Sequence, residues 1–511
     1  MNHWIVAPII LPGLTAAFLV LVLRHNLAQQ RIISIASTAL LLALTVGLFS
    51  LASDGAARPY LLGAWPAPFG IVLVLDLLSA TMALLTAVLA MAVVLYASND
   101  WDQRGWHFHA LFQFQLMGIN GAFLTGDVFN LFVFFEVMLI ASYGLMLHGG
   151  GARRLKAGFQ YVAINLVGST LFLFAVGLIY AVTGTLNMAD LAVKVSQVEP
   201  GDGAILRVGV LLLFLVFALK SALAPLHWWL PTAYAAAPAP SAALFMIMTK
   251  VGAYSIIRVH ALVFGSEAGA VAQVAAPWII PAALVTLVIG ALGVLATRRL
   301  VDLACFAVIW SMGSLLVAIG LFDGPGLTAA LYYTVHSTLA GASLFLLVDL
   351  IAERRGRWLD QLSEAPQIVQ SSLIAGLFFL AAIAMVGLPP LSGFIGKLLI
   401  LDAARQAPAA VWIWALTLAT SLMVILGFSR AGSLLFWKSE AVGGSVEVSE
   451  SRHGALAFVA VSALIAATAL FTVFAGPATR SFETAAGQIL DPRGYVGAVL
   501  GVEAAAGLGE R

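Results

Sequence analysis

The chain has 511 residues, 62% hydrophobic and only 10% charged, with a net charge of +1 and a mean hydropathy of +1.02. Soluble domains carry about 25% charged residues, so most of this chain belongs in lipid, and no basic stretch interleaved with aromatics points to nucleic acid. Its one cysteine, Cys305, excludes an internal disulfide and any multi-cysteine metal or Fe–S centre.

The opening stretch, MNHWIVAPIILPGLTAAFLVLVLRHN, lacks the basic start and small-residue cleavage site of a signal peptide and reads as a first membrane helix. Apolar runs long enough to span, about 20 residues each, recur fourteen times. They lie near 4–23, 32–52, 70–97, 108–125, 127–147, 158–183, 206–224, 241–262, 273–296, 300–320, 326–350, 370–400, 408–436 and 454–476. Little more than Gly126 separates the fourth from the fifth, which requires a tight turn. The longest polar connections, 184–205, 351–369 and 437–453, are too short to hold a folded domain. The tail from Gly476 to Arg511 is rich in Ala and Gly with scattered charges; it reads as a surface helix or disorder and carries no assigned function.

Lysine and arginine mark the cytoplasmic side of short loops. Loops after odd-numbered spans hold fourteen of them, among them Arg24, Arg104, Arg153, Arg154, Arg299, Arg430 and Arg452. Loops after even-numbered spans hold five: Arg58, Lys194, Arg207, Arg258 and Arg405. The odd loops are therefore expected inside and both ends of the core outside.

Three further lysines fall within spans: Lys220, Lys250 and Lys397. A charge at mid-membrane costs roughly 2.5–3.5 kcal/mol on insertion scales. Glu136 stands alone in LFVFFEVMLIASYGL, and His336 lies in the middle of AALYYTVHSTLAGASLFLLV. Asp76, Asp127, Asp302 and Asp349 sit near span ends, where interfacial water or helix-end electrostatics accounts for them.

Two spans are broken. In the seventh, Lys220 is followed by Pro225, Pro231, Pro238 and Pro240; in the twelfth, GLPPLSGFIGK at 387–397 places Pro389 and Pro390 before Lys397. Interrupted helices are tolerated at membrane depth only where protein or a watery cavity receives the freed backbone groups. The two breaks lie five spans apart, and an odd offset turns the second copy upside down. That is the pattern of an inverted repeat with ion sites near the midplane.

Burial disfavours an ammonium and a nearby carboxylate favours it, so Glu136 and Lys220 would make a two-position proton switch; a static ion pair is the plainer reading. Lys250 would take the proton next, unless it snorkels to the interface. His336, a residue type that titrates near neutrality but in an apolar helix also serves as a hydrogen-bonded structural group, would bridge towards Lys397. His227, beside Pro225, is a candidate for the cavity mouth or the interface. The order Glu136–Lys220–Lys250–His336–Lys397 resembles a lateral relay with a half-channel at each break. No Gly-rich phosphate loop, HExxH, CxxC or nucleophile elbow is present.

FNLFVFFEVMLIASYGLM at 129–146, LKSALAPLHWWLPTAYAAAPAPSAALF at 219–245, MTKVGAYSIIRV at 248–259 and GLPPLSGFIGK at 387–397 resemble the antiporter-like membrane subunits shared by respiratory complex I and the multisubunit Mrp (Pha) cation/proton antiporters. Within that family YAVTGTLNMADLAVKV at 180–195 is similar to the D-type Mrp subunits. The resemblance implies an all-α polytopic fold of about fourteen transmembrane helices with helices 7 and 12 broken. It divides as 1–107, an N-terminal three-helix segment; 108–262 and 273–436, two inverted five-helix repeats; 454–476, a final helix; and 477–511, the tail. It implies a Glu136–Lys220 ion pair continued by Lys250, His336 and Lys397, with Pro225, His227, Pro389 and Pro390 at the cavities or hinges. It implies proton influx coupled to Na⁺ or K⁺ efflux, no cofactor, other subunits of the complex as partners, and the bacterial inner membrane as location. A proton-pumping subunit of complex I or a related hydrogenase is the nearest alternative. An enzyme acting on lipid-linked substrates would need larger loops, and a bare scaffold would not need buried lysines. A tag fused to the N-terminus is expected to be digested by protease added to the outer face of intact cells; protection there overturns the orientation.

Overall fold

Several helices in this chain are capped by a short polar side chain at the point where an apolar run begins. A computed structural model describes residues 3–199, 201–442, 454–501 and 504–505. The first helices are α1 (Ala7–Leu21), α2 (Leu27–Ala52), α3 (Leu77–Ala97), α4 (Phe108–Leu124) and α5 (Val128–Leu147). Asn26, Asp76 and Asp127 cap α2, α3 and α5 by accepting a backbone N–H of the first turn, which satisfies donors that an apolar helix start cannot. Then come α6 (Ala152–Thr183), α7 (Met188–Lys194), α8 (Gly203–Lys220), α9 (Trp229–Tyr234) and α10 (Ala239–Ser255), the last extended by a π-helical stretch, Ile256–Val263. The series continues with α11 (Ala276–Ala296), α12 (Leu300–Gly320), α13 (Gly324–Arg354), α14 (Ser371–Val386), α15 (Ser392–Ala403) and α16 (Ala410–Gly432), itself extended by a π-helical stretch, Ser433–Trp437. It ends with α17 (Ala455–Val473), α18 (Ala475–Leu490) and α19 (Pro492–Leu500).

Among the described residues, eleven helices are long and apolar enough to cross a membrane, and Ala7–Leu21 and Ser371–Val386 are shorter apolar helices. α10 is buried throughout and α12 nearly so, whereas α2, α16 and α17 bury only one face. The rim helices turn residues such as Val411, Trp412, Leu418 and Leu422 outward, as helices in contact with lipid do.

Two sets of elements run in the same order. α4 and α5 meet where an added Cβ on Gly118 would press within 2.6 Å of the Met138 backbone and one on Gly121 would enter the Phe134 ring. α11 and α12 meet the same way, at Gly290 against Trp310 and Gly293 against Phe306. Before α5, Asp127 pairs with Asn187, with Val128 N–H on Leu186 O and Met188 N–H on Gly126 O; before α12, Arg299 pairs with Gln361, with Leu300 N–H on Asp360 O and Leu362 N–H on Arg298 O. Each set then has a long helix, an interrupted helix and a helix with a π-helical end.

Several expectations change. The span expected at 70–97 begins as an extended segment: β2 (Val72–Leu75) pairs antiparallel with β1 (Arg58–Leu61), Arg58 opposite Leu75. Valine and leucine suit a buried strand, and Asp76, bonded to Ser79 in a capping box, starts the helix only after it. The fold is thus all-α save for this hairpin. Gly126 makes the expected tight turn, its N–H on Val72 O. The span expected from 158 begins at Ala152, so Arg153, Arg154 and Lys156 ride the first turns of α6. The tail folds into α18 and α19, burying Phe482, Ile489, Tyr495 and Val496; its last residues, like Arg452, lie outside the described residues.

Arg258, counted above as a loop residue, is 1% exposed on the π-helical end of α10 and forms a paired contact with Asp76, Nη1 to Oδ2 2.5 Å and Nη2 to Oδ1 2.8 Å. The tail leans on this pair: the Tyr495 ring lies 5.5 Å from the guanidinium. Breaking a buried pair by removing one partner typically costs about 3–5 kcal/mol, since the other charge is stranded. Asp76→Ala is therefore expected to lower the melting temperature of the detergent-purified protein markedly, while Asp402→Ala, at an exposed contact with Arg405, leaves it unchanged. Equal melting temperatures for the two variants contradict this account.

Candidate functional site

The seventh span ends earlier than its prolines suggest. α8 stops at Lys220, and Ala222 takes a left-handed conformation at φ +53°, so the chain turns before Pro225 is reached; the proline then keeps the preceding residue out of helix. The groups freed by the break find partners. Trp229 Nε1 donates to Leu219 O at 3.0 Å, and Ala224 N–H donates to Thr286 Oγ1 of α11 at 2.9 Å. Pro225 is exposed and His227 half-buried, with His227 Nδ1 unpartnered. A cavity of about 280 Å³ lies beside α9, lined by Arg153, Lys156, Gln160, Pro231, Thr232 and Asp302, among others.

Lys220 is 6% exposed, and its ammonium donates to Asn165 Oδ1 at 2.7 Å. Glu136, half-buried on α5, accepts a hydrogen bond from Ser169 Oγ. The expected direct contact is thus replaced by two hydrogen bonds to α6, and no Glu136–Lys220 ion pair forms within 4 Å among the described residues. Phe135 stands beside the ammonium, 5.9 Å from ring centre to Nζ.

Lys250 is completely buried, and its Nζ has no hydrogen-bond partner among the described residues. Two residues on, Gly252 brings the α10 backbone against the end of α8. A Cβ there would lie 2.7 Å from Ser221 Oγ and 3.0 Å from the Lys220 carbonyl carbon. On its other side α10 meets α13, where a Cβ on Gly341 would lie 2.9 Å from Met246 Sδ. α10 thereby joins the first break to the helix that carries His336.

The second break opens between α14 and α15. Gly387, at φ +77°, ends α14 in the left-handed conformation that glycine adopts without cost. His336 Nδ1 and Ser392 Oγ, at the first residue of α15, are 2.9 Å apart. A Cβ on Gly393 would lie 2.7 Å from His336 Nε2, so only glycine lets the histidine rest against the break. Lys397 reaches back across it: Nζ donates one bond to Val386 O, the last carbonyl of α14, and another to Ser421 Oγ at 2.9 Å. A cation at a helix C-terminus is favourably placed against the helix dipole, and the Trp310 ring centre lies 3.8 Å from the same ammonium. Pro389 and Pro390 are exposed.

The structure therefore gathers the candidates into two polar centres with Lys250 between them. Sequence reasoning missed the partners: Asn165 and Ser169 on α6, Trp310, Ser392 and Ser421. Asn165 and Ser169 had a visible signal, two polar residues four apart in an apolar helix; the others had none.

Comparison with known proteins agrees with this architecture. A family model described as NADH:quinone oxidoreductase/Mrp antiporter, TM, matches residues 125–425. The D-type subunit of a probable K⁺/H⁺ antiporter from Rhizobium meliloti (strain 1021) is 41% identical, with 96% of each chain covered. The D-type subunit of an Na⁺/H⁺ antiporter from Alkalihalophilus pseudofirmus is 34% identical over 98% of this chain and 100% of that one. Among solved structures, a chain of the Mrp complex from Dietzia sp. DQ12-45-1b superposes with a TM-score of 0.85 at 27% identity, covering 98% of this chain and 100% of that one. A chain of respiratory complex I from Thermus thermophilus does so with a TM-score of 0.79 at 26% identity, covering 95% and 99%. With the family match spanning more than half its length and full-length relatives above 30% identity, this helical membrane protein belongs to the NADH:quinone oxidoreductase/Mrp antiporter family.

Proposed function

We propose that the chain is the D-type, proton-translocating component of a multisubunit antiporter that couples proton influx to efflux of Na⁺ or K⁺ across the bacterial inner membrane. It works as a secondary transporter with other Mrp-type subunits. The observation that carries this reading is the row of titratable side chains, half-buried Glu136 and buried Lys220, Lys250, His336 and Lys397, gathered around two interrupted helices. Charges are kept inside a membrane protein mainly where ions or protons must pass. Lys220 is the gate, Glu136 biases it, and Lys250, His336 and Lys397 pass the proton on.

The matched contacts of α4–α5 and α11–α12, and the two interrupted helices, support fourteen spans in which 108–262 and 273–436 are inverted repeats. Setting aside the buried Arg258, Arg354 and Arg355 leaves twelve basic residues in the odd loops against four in the even ones, which supports the orientation with both core ends outward.

The second reading, a proton pump driven by a redox partner, draws on a chain of the archaeal membrane-bound sulfane sulfur reductase, with a TM-score of 0.87 at 25% identity. Exchange assays in inverted vesicles separate the two. Addition of Na⁺ or K⁺ without any redox substrate is expected to collapse a preset pH gradient. Lys220→Ala and Glu136→Ala are each expected to abolish that exchange while the complex still assembles. Exchange that survives both substitutions defeats the relay.

A further inference from the structure

Lys220 and Glu136 are both held by the same face of one helix. Asn165 and Ser169 are four residues apart on α6, so their side chains stand one turn apart, about 5–6 Å between Cβ atoms. Asn165 is 4% and Ser169 8% exposed. The Asn165 amide is oriented: its Nδ2 donates to Tyr161 O at 2.8 Å, one turn back on its own helix, which leaves Oδ1 for the Lys220 ammonium at 2.7 Å. Ser169 donates its hydroxyl proton to Glu136 Oε1 and so faces the carboxylate with a positive end. Between them Gly168 packs against the end of α8: a Cβ there would press to 3.0 Å from Leu219 Cδ2 and stand in ordinary contact, 3.7 and 3.8 Å, with Lys220 Cε and Nζ.

As oriented here, Asn165 turns an acceptor to the ammonium and Ser169 a donor to the carboxylate. An amide oxygen accepts from an ammonium, and a hydroxyl proton serves a carboxylate. The two charges are thereby kept one step apart in a low-dielectric interior, where they would otherwise close into a pair.

We propose that Asn165 and Ser169 are positioning residues, a latch on α6 that holds Lys220 and Glu136 in the separated state of the proton switch. Releasing the ammonium from Asn165 lets it swing to Glu136, and returning it to Asn165 aims it away from the carboxylate. The latch rests on the relay reading given above, and it adds a residue pair to that reading.

Four variants of the assembled complex, assayed for cation-dependent proton exchange in inverted vesicles, test it. Asn165→Leu leaves Glu136 as the only polar partner of Lys220, and Asn165→Asp supplies a permanent counter-ion of unchanged shape. Both are expected to lower exchange about tenfold or more, the scale of one hydrogen bond to a charged group. A residue that only packs α6 against α8 would tolerate the isosteric Asn165→Asp. Ser169→Ala is expected to slow exchange by a similar factor, and Ser169→Thr, which keeps the hydroxyl, to restore it. Exchange at the wild-type rate in Asn165→Asp, or Ser169→Thr as slow as Ser169→Ala, overturns the latch. If Asn165→Leu fails to assemble, the Asp and Ser169 variants decide. Lys220→Ala and Glu136→Ala run alongside: if both exchange normally the relay falls and the latch with it, whereas if both are dead and Asn165→Asp is normal, only the latch falls.

Discussion

A lysine ammonium and an interrupted helix each place polar groups where water is scarce, and in this chain each answers the other. Lys397 donates to the last carbonyl of α14, a group that the break at Gly387 would otherwise leave unpaired. At the first break the Leu219 carbonyl accepts from both the Ala222 N–H and the Trp229 indole, and a threonine hydroxyl on α11 receives the N–H of Ala224. An unsatisfied backbone group in hydrocarbon costs several kcal/mol, so these contacts are a condition for the breaks to exist. The breaks in turn make room for cations that an unbroken apolar helix would have to bury against hydrocarbon.

The two halves share an architecture and differ in wiring. Lys220 ends the helix before its break and is held by an amide on the neighbouring α6. Lys397 follows its break and is held by the helix end itself, by Ser421 and by the face of Trp310. The first arrangement depends on one hydrogen bond from the ammonium to a neutral amide, and such a bond can be exchanged for another partner. The second surrounds the ammonium on three sides. Two similarly ordered sets of helices, one with an exchangeable lysine and one with an enclosed lysine, are asymmetric, and the directed transfer proposed above would require such asymmetry.

Much of this was legible in the chain. Most of the apolar runs coincide with helices, eleven of them long and apolar enough to cross a membrane among the described residues, because about 20 apolar residues suit little else, and the lysines stood out because lipid makes them costly. What stayed hidden was pairing. Nothing in the sequence ties Asp76 to Arg258, 182 residues apart, so the arginine was read as a loop residue. The strand Val72–Leu75 was absorbed into a helix because four apolar residues have no periodicity to distinguish the two. Pro225 drew attention to the first break, yet the backbone reverses earlier, at Ala222, where the residue type gives no sign of it.

Glu136 and Lys220 show the same limit at the site itself. Their residue types marked both as candidates for the proposed switch, since no other carboxylate stands at mid-span in the first half. Their contact does not follow from type, because a hydrogen bond of similar strength is offered to each by a residue of α6. Lys250 completes the logic. Its helix, α10, touches both halves through Gly252 and Met246, and Lys250 alone among the five has a buried polar atom without a partner among the described residues. A charge on it lacks the support that Asn165 gives at one end and Val386, Ser421 and Trp310 give at the other. The middle of the row is therefore the highest point for a cation, and the two ends are the places where one can rest. In the proposed relay a proton crossing between halves would pass over that point, and the packing of α10 between α8 and α13 would set the barrier to lateral transfer.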